Sequence, residues 1–108
     1  MKVKWVPQAK KEMRLVAKYI NKEFGKKAKD DFIQDDFIQD VRDASRLIGA
    51  TPNVGQAESL LADRADMYRS YIVNRLNKIV YRIVDDHIEI ADFWDVRRDP
   101  STLADQVK

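Results

Sequence analysis

Residues 67–94 read MYRSYIVNRLNKIVYRIVDDHIEIADFW, and the period of this stretch decides the fold. Apolar residues recur every second position in three runs, Met67 to Val73, Lys78 to Val84 and His87 to Trp94, which is the signature of half-buried strands. Asp85-Asp86 makes a two-residue turn, and Asn74 to Asn77 a longer one. The runs therefore predict a three-stranded antiparallel meander with Val84 opposite His87 and Val73 opposite Lys78. That register sorts the side chains. Tyr68, Ser70, Ile72, Ile79, Tyr81, Ile83, Ile88 and Ile90 fall on one face, which is apolar enough to receive helices. Arg69, Tyr71, Val73, Lys78, Val80, Arg82, His87, Glu89, Ala91 and Phe93 fall on the other, where any chemistry is expected.

Upstream of the meander the period lengthens. Val3 and Trp5 alternate with Lys2 and Lys4, a short strand, and Pro7 suits the first turn of a helix. Ala9, Met13, Val16, Ala17, Ile20 and Phe24 then recur at three- and four-residue steps, with Gly25 as the stop. A second stripe, Ile33, Phe37, Val41, Ala44 and Ile48, ends before Gly49 and the Thr51-Pro52-Asn53 breakers. The expected fold is α+β: a short N-terminal strand, an α-helical hairpin and the meander, forming one domain across residues 1–108.

Inside the second helix Asp30-Asp31-Phe32-Ile33-Gln34 recurs at once as Asp35-Asp36-Phe37-Ile38-Gln39. Five helical residues advance the face by about 500°, a net rotation of about 140°, so Ala28 and Phe32 leave the stripe set by the later residues. Deleting one copy restores the alignment, which points to an inserted duplication. The competing reading is a helix with a wide apolar face covered by a partner.

The chain has 108 residues and no cysteine, so disulfides, thiolate metal sites and a cysteine nucleophile are excluded. With His87 the one histidine, a zinc site is not expected, nor any other cofactor. No apolar run approaches a membrane span, and the segment Met1-Lys2-Val3-Lys4 does not resemble a secretory signal, so a cytoplasmic location is expected. The net charge of +2 hides a segregation: +8 over residues 1–29, −5 over 30–43 and −2 over 57–108. Lys10, Lys11, Lys18, Lys22 and Lys26 read first as a solvated helix face and second as a phosphate-binding patch.

On the polar sheet face the expected register sets Arg69 beside Arg82 and Arg82 beside Glu89, with Arg97 and Arg98 just beyond the last strand. Converging guanidinium groups bind phosphate bidentately and stabilise the charge that develops when a ribose hydroxyl attacks its own phosphodiester. The plainer alternative makes Arg82 and Glu89 a cross-strand ion pair.

The ordered set Tyr68-Arg69-Ser70, Ile79-Val80-Tyr81-Arg82-Ile83, Asp85-Asp86 and Trp94-Asp95-Val96-Arg97-Arg98-Asp99-Pro100, behind one strand and two helices, resembles the RelE/ParE toxin superfamily of type II toxin–antitoxin systems. The resemblance runs from Val3 to Pro100. It implies a cognate antitoxin that buries the sheet face at Val80, Ala91 and Phe93, and a toxin–antitoxin hetero-oligomer or a homodimer. The ParE-like branch implies a poison of DNA gyrase. The RelE-like branch implies a metal-free endoribonuclease on ribosome-bound messenger RNA, with Arg69, Lys78, Arg82 and Arg98 as its catalytic set and Tyr71, His87 and Arg97 on the substrate. The aromatic acid/base frequent near the C-terminus of that branch is missing, because Asp99-Pro100-Ser101-Thr102-Leu103-Ala104 follows Arg98.

Overall fold

Strand β1 (Lys2–Trp5) and helix α1 (Pro7–Phe24) begin where alternation and Pro7 place them. A computed structural model of the protein describes residues 1–24, 31–64, 67–74, 76–96, 103, 106 and 107, with no side-chain description for 20–24 and 31–36. The expected helix stop at Gly25 lies outside the described residues. Helix α2 (Asp31–Ala50) follows, then four strands: β2 (Gln56–Ala57), β3 (Tyr68–Ile72), β4 (Asn77–Val84) and β5 (His87–Asp95). A single turn of 3₁₀ helix, Ser59–Leu61, sits between β2 and β3.

The strands form one mixed sheet in the order β1-β5-β4-β3-β2. β1 runs parallel to β5, pairing Val3 with Ile88 and Trp5 with Ile90, and the remaining pairs are antiparallel. The α+β class and the order strand, two helices, strands hold, but the meander has four strands because β2 adds an edge beside Arg69 and Ser70. Its two residues lie in a polar stretch without alternation, so periodicity carries no sign of them.

The core between helices and sheet is built from the described members of the expected stripes, while the side chains of Ile20, Phe24 and Ile33 lie outside the described residues. Ala9 and Ala17 of α1, and Phe37, Val41, Ala44 and Ile48 of α2, are buried against Ile79, Tyr81, Ile88, Ile90 and Phe93, with Val3, Trp5, Met13 and Val16 packed at the margin. α2 continues two residues past its expected end. A Cβ at Gly49 would stand 3.0 Å from the Met1 carbonyl oxygen, so the missing side chain lets the end of α2 meet β1, where the Met1 ammonium donates to the Gly49 carbonyl at 2.9 Å.

The second copy of the duplicated segment contributes to this core, since Phe37 is buried and in line with Val41, Ala44 and Ile48. Removing residues 35–39 would bring Phe32 to the position four before Val41 and preserve the stripe. The five-residue deletion variant is therefore expected to keep its cooperative unfolding with a midpoint at or above that of the full chain. A marked loss of stability would show that the second copy is an integral part of the helix.

The two hairpin turns account for how the faces sort. At residues 85 and 86 the turn has the expected length, Asp85 adopts φ 52°, and Val84 pairs with His87. Asp tolerates this left-handed conformation better than most side chains. The other turn is one residue tighter than expected. Asn74 Oδ1 accepts the N–H groups of Leu76 and Asn77 at 2.8 and 3.0 Å, and the Val73 N–H reaches the Asn77 carbonyl at 2.9 Å, so Val73 faces Asn77 and Ile72 faces Lys78. Because side chains alternate with period two, one residue of slip exchanges the faces of all of β3.

Candidate functional site

The outer sheet face, away from the helices, is where phosphate chemistry was expected, and the slip in β3 redistributes its residues. Arg69 now pairs with Tyr81 and Tyr71 with Ile79, on the helix side. Tyr71 and Val73 pack against the main core, while Tyr68 joins the outer face. Ile72, expected inside, is 67% exposed.

A second irregularity lies in β5. Val80 pairs with Asp92 but Tyr81 with Ile90, so Ala91 is an extra residue, a β-bulge. The bulge resets the alternation: Ala91, Asp92 and Trp94 face outward, and Phe93 turns to the helix side opposite Ile79. The placement of Phe93 on the outer face is thereby corrected. Its ring meets Phe37 edge-on at 5.9 Å and Trp5 at 6.3 Å.

The outer face is not open either. Val80, Ala91, Tyr68 and Trp94 form a second core with Leu61 of the 3₁₀ turn and with Leu103 and Val107 from the C-terminal part of the chain, all buried. Val80, Ala91 and Phe93, expected to give a partner's segment its footing, are covered by this protein's own residues.

Each described cation of the expected set has an internal partner. The Lys78 ammonium is in an ion pair with the Glu58 carboxylate, and both side chains are largely buried. Glu58 also caps the 3₁₀ turn by accepting the Leu60 N–H at 3.3 Å. Arg69 Nη1 donates to the Gly55 carbonyl at 2.8 Å. Arg82 Nε donates to Glu89 Oε1 at 3.0 Å, and its guanidinium stands 5.8 Å from the Tyr68 ring centre. This is the cross-strand pair of the plainer reading; both side chains are about a quarter exposed, so the pair contributes about 0.2–1 kcal/mol. His87 lies beside Asp86, with Nδ1 3.4 Å from Oδ1.

These groups do not converge. Lys78 and Arg82 share the outer face about 13 Å apart at the rise of a strand, and Lys78 lies about 20 Å along β4 from the end where His87 pairs with Val84. Arg69 and Tyr71 are on the other side of the sheet. Arg97 and Arg98 lie outside the described residues. Among the described residues no three His, Asp or Glu side chains gather as a metal site, and no helix is long and apolar enough to cross a membrane.

Two polar groups that periodicity does not single out are central to the interior. Asp92 is fully buried on the outer face, its Oδ1 accepting the Phe93 N–H at 2.9 Å. Its signal in the sequence is an acidic residue inside the apolar run Ile90 to Trp94. The Tyr81 hydroxyl donates to the Pro52 carbonyl at 2.7 Å and accepts the Gly55 N–H at 2.9 Å, tying the loop after α2 to the sheet. A Cβ at Gly55 would lie 2.7 Å from that hydroxyl and 2.8 Å from the Ser70 carbonyl oxygen, so a side chain there is excluded.

Burial raises the Tyr81 pKa above 10.0, against the smaller lowering effects of the Gly55 hydrogen bond and the Arg69 charge. A raised phenol pKa means that the folded state holds its proton more tightly than the unfolded state. The corresponding stability is full below pH 10.0 and is lost as the pH rises through the elevated value. Tyr81→Phe leaves the Pro52 carbonyl and Gly55 N–H without this partner. The expected cost in urea denaturation at neutral pH is about 1–3 kcal/mol. A change under about 0.5 kcal/mol, within the range of neutral surface substitutions, would mean that water replaces the hydroxyl at no cost.

No protein-family model matches the chain, and no curated protein matches it.

Proposed function

We propose that this chain is the toxin of a type II toxin–antitoxin system, a ParE-like growth inhibitor that acts on DNA gyrase by binding and is neutralised by a cognate antitoxin. The observation that carries this reading is the order β1, α1, α2, then the antiparallel strands, with β1 parallel to β5 at one edge. It is the order on which the resemblance to the RelE/ParE superfamily rests. Between the two branches, the partners of the cations favour binding over catalysis. Lys78 is held by Glu58, Arg82 by Glu89, and Arg69 by the Gly55 carbonyl on the opposite side of the sheet, so these three do not surround one phosphate. Transition-state stabilisation of phosphodiester cleavage needs cations preorganised around a single charge.

The test is pulsed induction in a bacterial host, with primer extension on messenger RNA and detection of gyrase-linked DNA breaks in the same culture. The expected result is DNA breaks with intact message, suppressed when the neighbouring antitoxin gene is co-expressed. Cuts within ribosome-bound codons would move the assignment to the RelE-like endoribonuclease. Absence of both signals would overturn the toxin reading.

A further inference from the structure

Between the two helices, beside Trp5 of the edge strand β1, lies a groove of about 330 Å³ that the proposed function does not use. Its floor is apolar, made by Trp5, Met13, Ile38 and Val41, and its rim carries Lys10, Arg14 and Arg42. The Trp5 indole N–H is satisfied by Ser45 Oγ at 3.2 Å, so the ring presents an apolar surface. Among the described residues no carboxylate lines the groove. Of the described acids on the two helices, Glu12 is engaged with Gln8 and Asp43 with Gln39 and Arg46, while Asp40 is exposed and does not line the groove. Among the described residues Lys10, Arg14 and Arg42 form no ion pair or side-chain hydrogen bond.

Three cations around an apolar concavity with no carboxylate in its described lining repel one another, and an anion at the rim relieves that repulsion while an apolar body fills the floor. We propose that this groove binds a small organic anion, an aromatic or aliphatic body carrying one carboxylate, sulfonate or phosphate head. Its dimensions favour a small ligand over a peptide helix. The described lining runs from Lys10 to Arg14 on α1 and from Ile38 to Ser45 on α2, about 6 and 10 Å at the helical rise, so among the described residues it covers about two turns. The volume falls at the lower end of the small-molecule range of about 300–1,000 Å³. This inference is independent of the toxin reading, since none of its residues belongs to that site.

The test uses the intact chain and two fluorescent probes of one shape, anilinonaphthalene sulfonate and the uncharged N-phenylnaphthylamine. The sulfonate is expected to bind saturably, one per chain, at least about tenfold more tightly than the neutral probe, and to be displaced by naphthoate. The triple variant Lys10→Gln/Arg14→Gln/Arg42→Gln, altered only at exposed positions, is expected to lose about tenfold in sulfonate affinity. Lys11→Gln/Lys18→Gln, which removes charge from α1 outside the groove, should leave it unchanged. Equal binding of the two probes, or equal loss in both variants, would overturn the proposal. Displacement by an acidic amphipathic peptide but not by naphthoate would overturn it in favour of a peptide site.

Discussion

Lys78→Met is expected to destabilise the fold by about 3–5 kcal/mol, because it leaves the Glu58 carboxylate buried without its counter-charge. The pair joins two parts of the chain. Lys78 belongs to β4 and Glu58 to the segment between β2 and the 3₁₀ turn, so the ion pair holds that turn, and Leu61 with it, over the outer sheet face. Glu58 is 5% exposed and its second oxygen already accepts the Leu60 N–H, which leaves it little access to water. A buried ion pair need not stabilise a protein relative to apolar residues of similar shape, so Lys78→Met/Glu58→Met should recover most of the loss. Chemical denaturation of the two variants and the parent chain measures both effects. A loss below about 1 kcal/mol in Lys78→Met, the range of an exposed pair, would return Lys78 to the set of free cations available to a phosphate.

Phe93→Ala is expected to cost a similar amount, about 3–5 kcal/mol, with no new partner needed to explain it. The ring is 1% exposed and bridges β5, β1 and α2 through Trp5 and Phe37. Truncation would open a cavity where three elements meet and remove an edge-to-face aromatic contact. Phe93→Leu, which keeps much of the volume, should lose markedly less. Had the strand kept strict alternation, Phe93 would lie on the outer face beside Val80. A cost under about 1 kcal/mol would place the ring outside the core.

The expectation for Phe93, like the loss of the expected arginine cluster, depends on an irregularity of a single residue. The Asn74 side chain tightens one turn and moves Arg69 and Tyr71 across the sheet. The bulge at Ala91 rotates Phe93 inward. Arg69 beside Arg82 was a consequence of a four-residue connection, and the three-residue connection removes it. The Arg82 to Glu89 pairing survived because it depends only on the Asp85-Asp86 turn, whose length is written in the sequence. Lys78 illustrates a different limit: its partner Glu58 is twenty positions away in a stretch with no period, and nothing local announces the contact.

The sequence by itself determined the two helices, the described part of their buried stripes, the first strand and the existence and order of the three long strands. These follow from periods of 3.6 and 2 and from the placement of Pro7 and Asp85-Asp86, all local properties of the chain. Tertiary structure alone decided which face each residue of β3 and the end of β5 occupies, where β2 attaches, and that the outer face is covered by Leu61, Leu103 and Val107. The physical reason is that a strand's alternation fixes which residues share a face but not which face it is. That choice is made by turn length, by a bulge and by contacts between segments far apart in sequence.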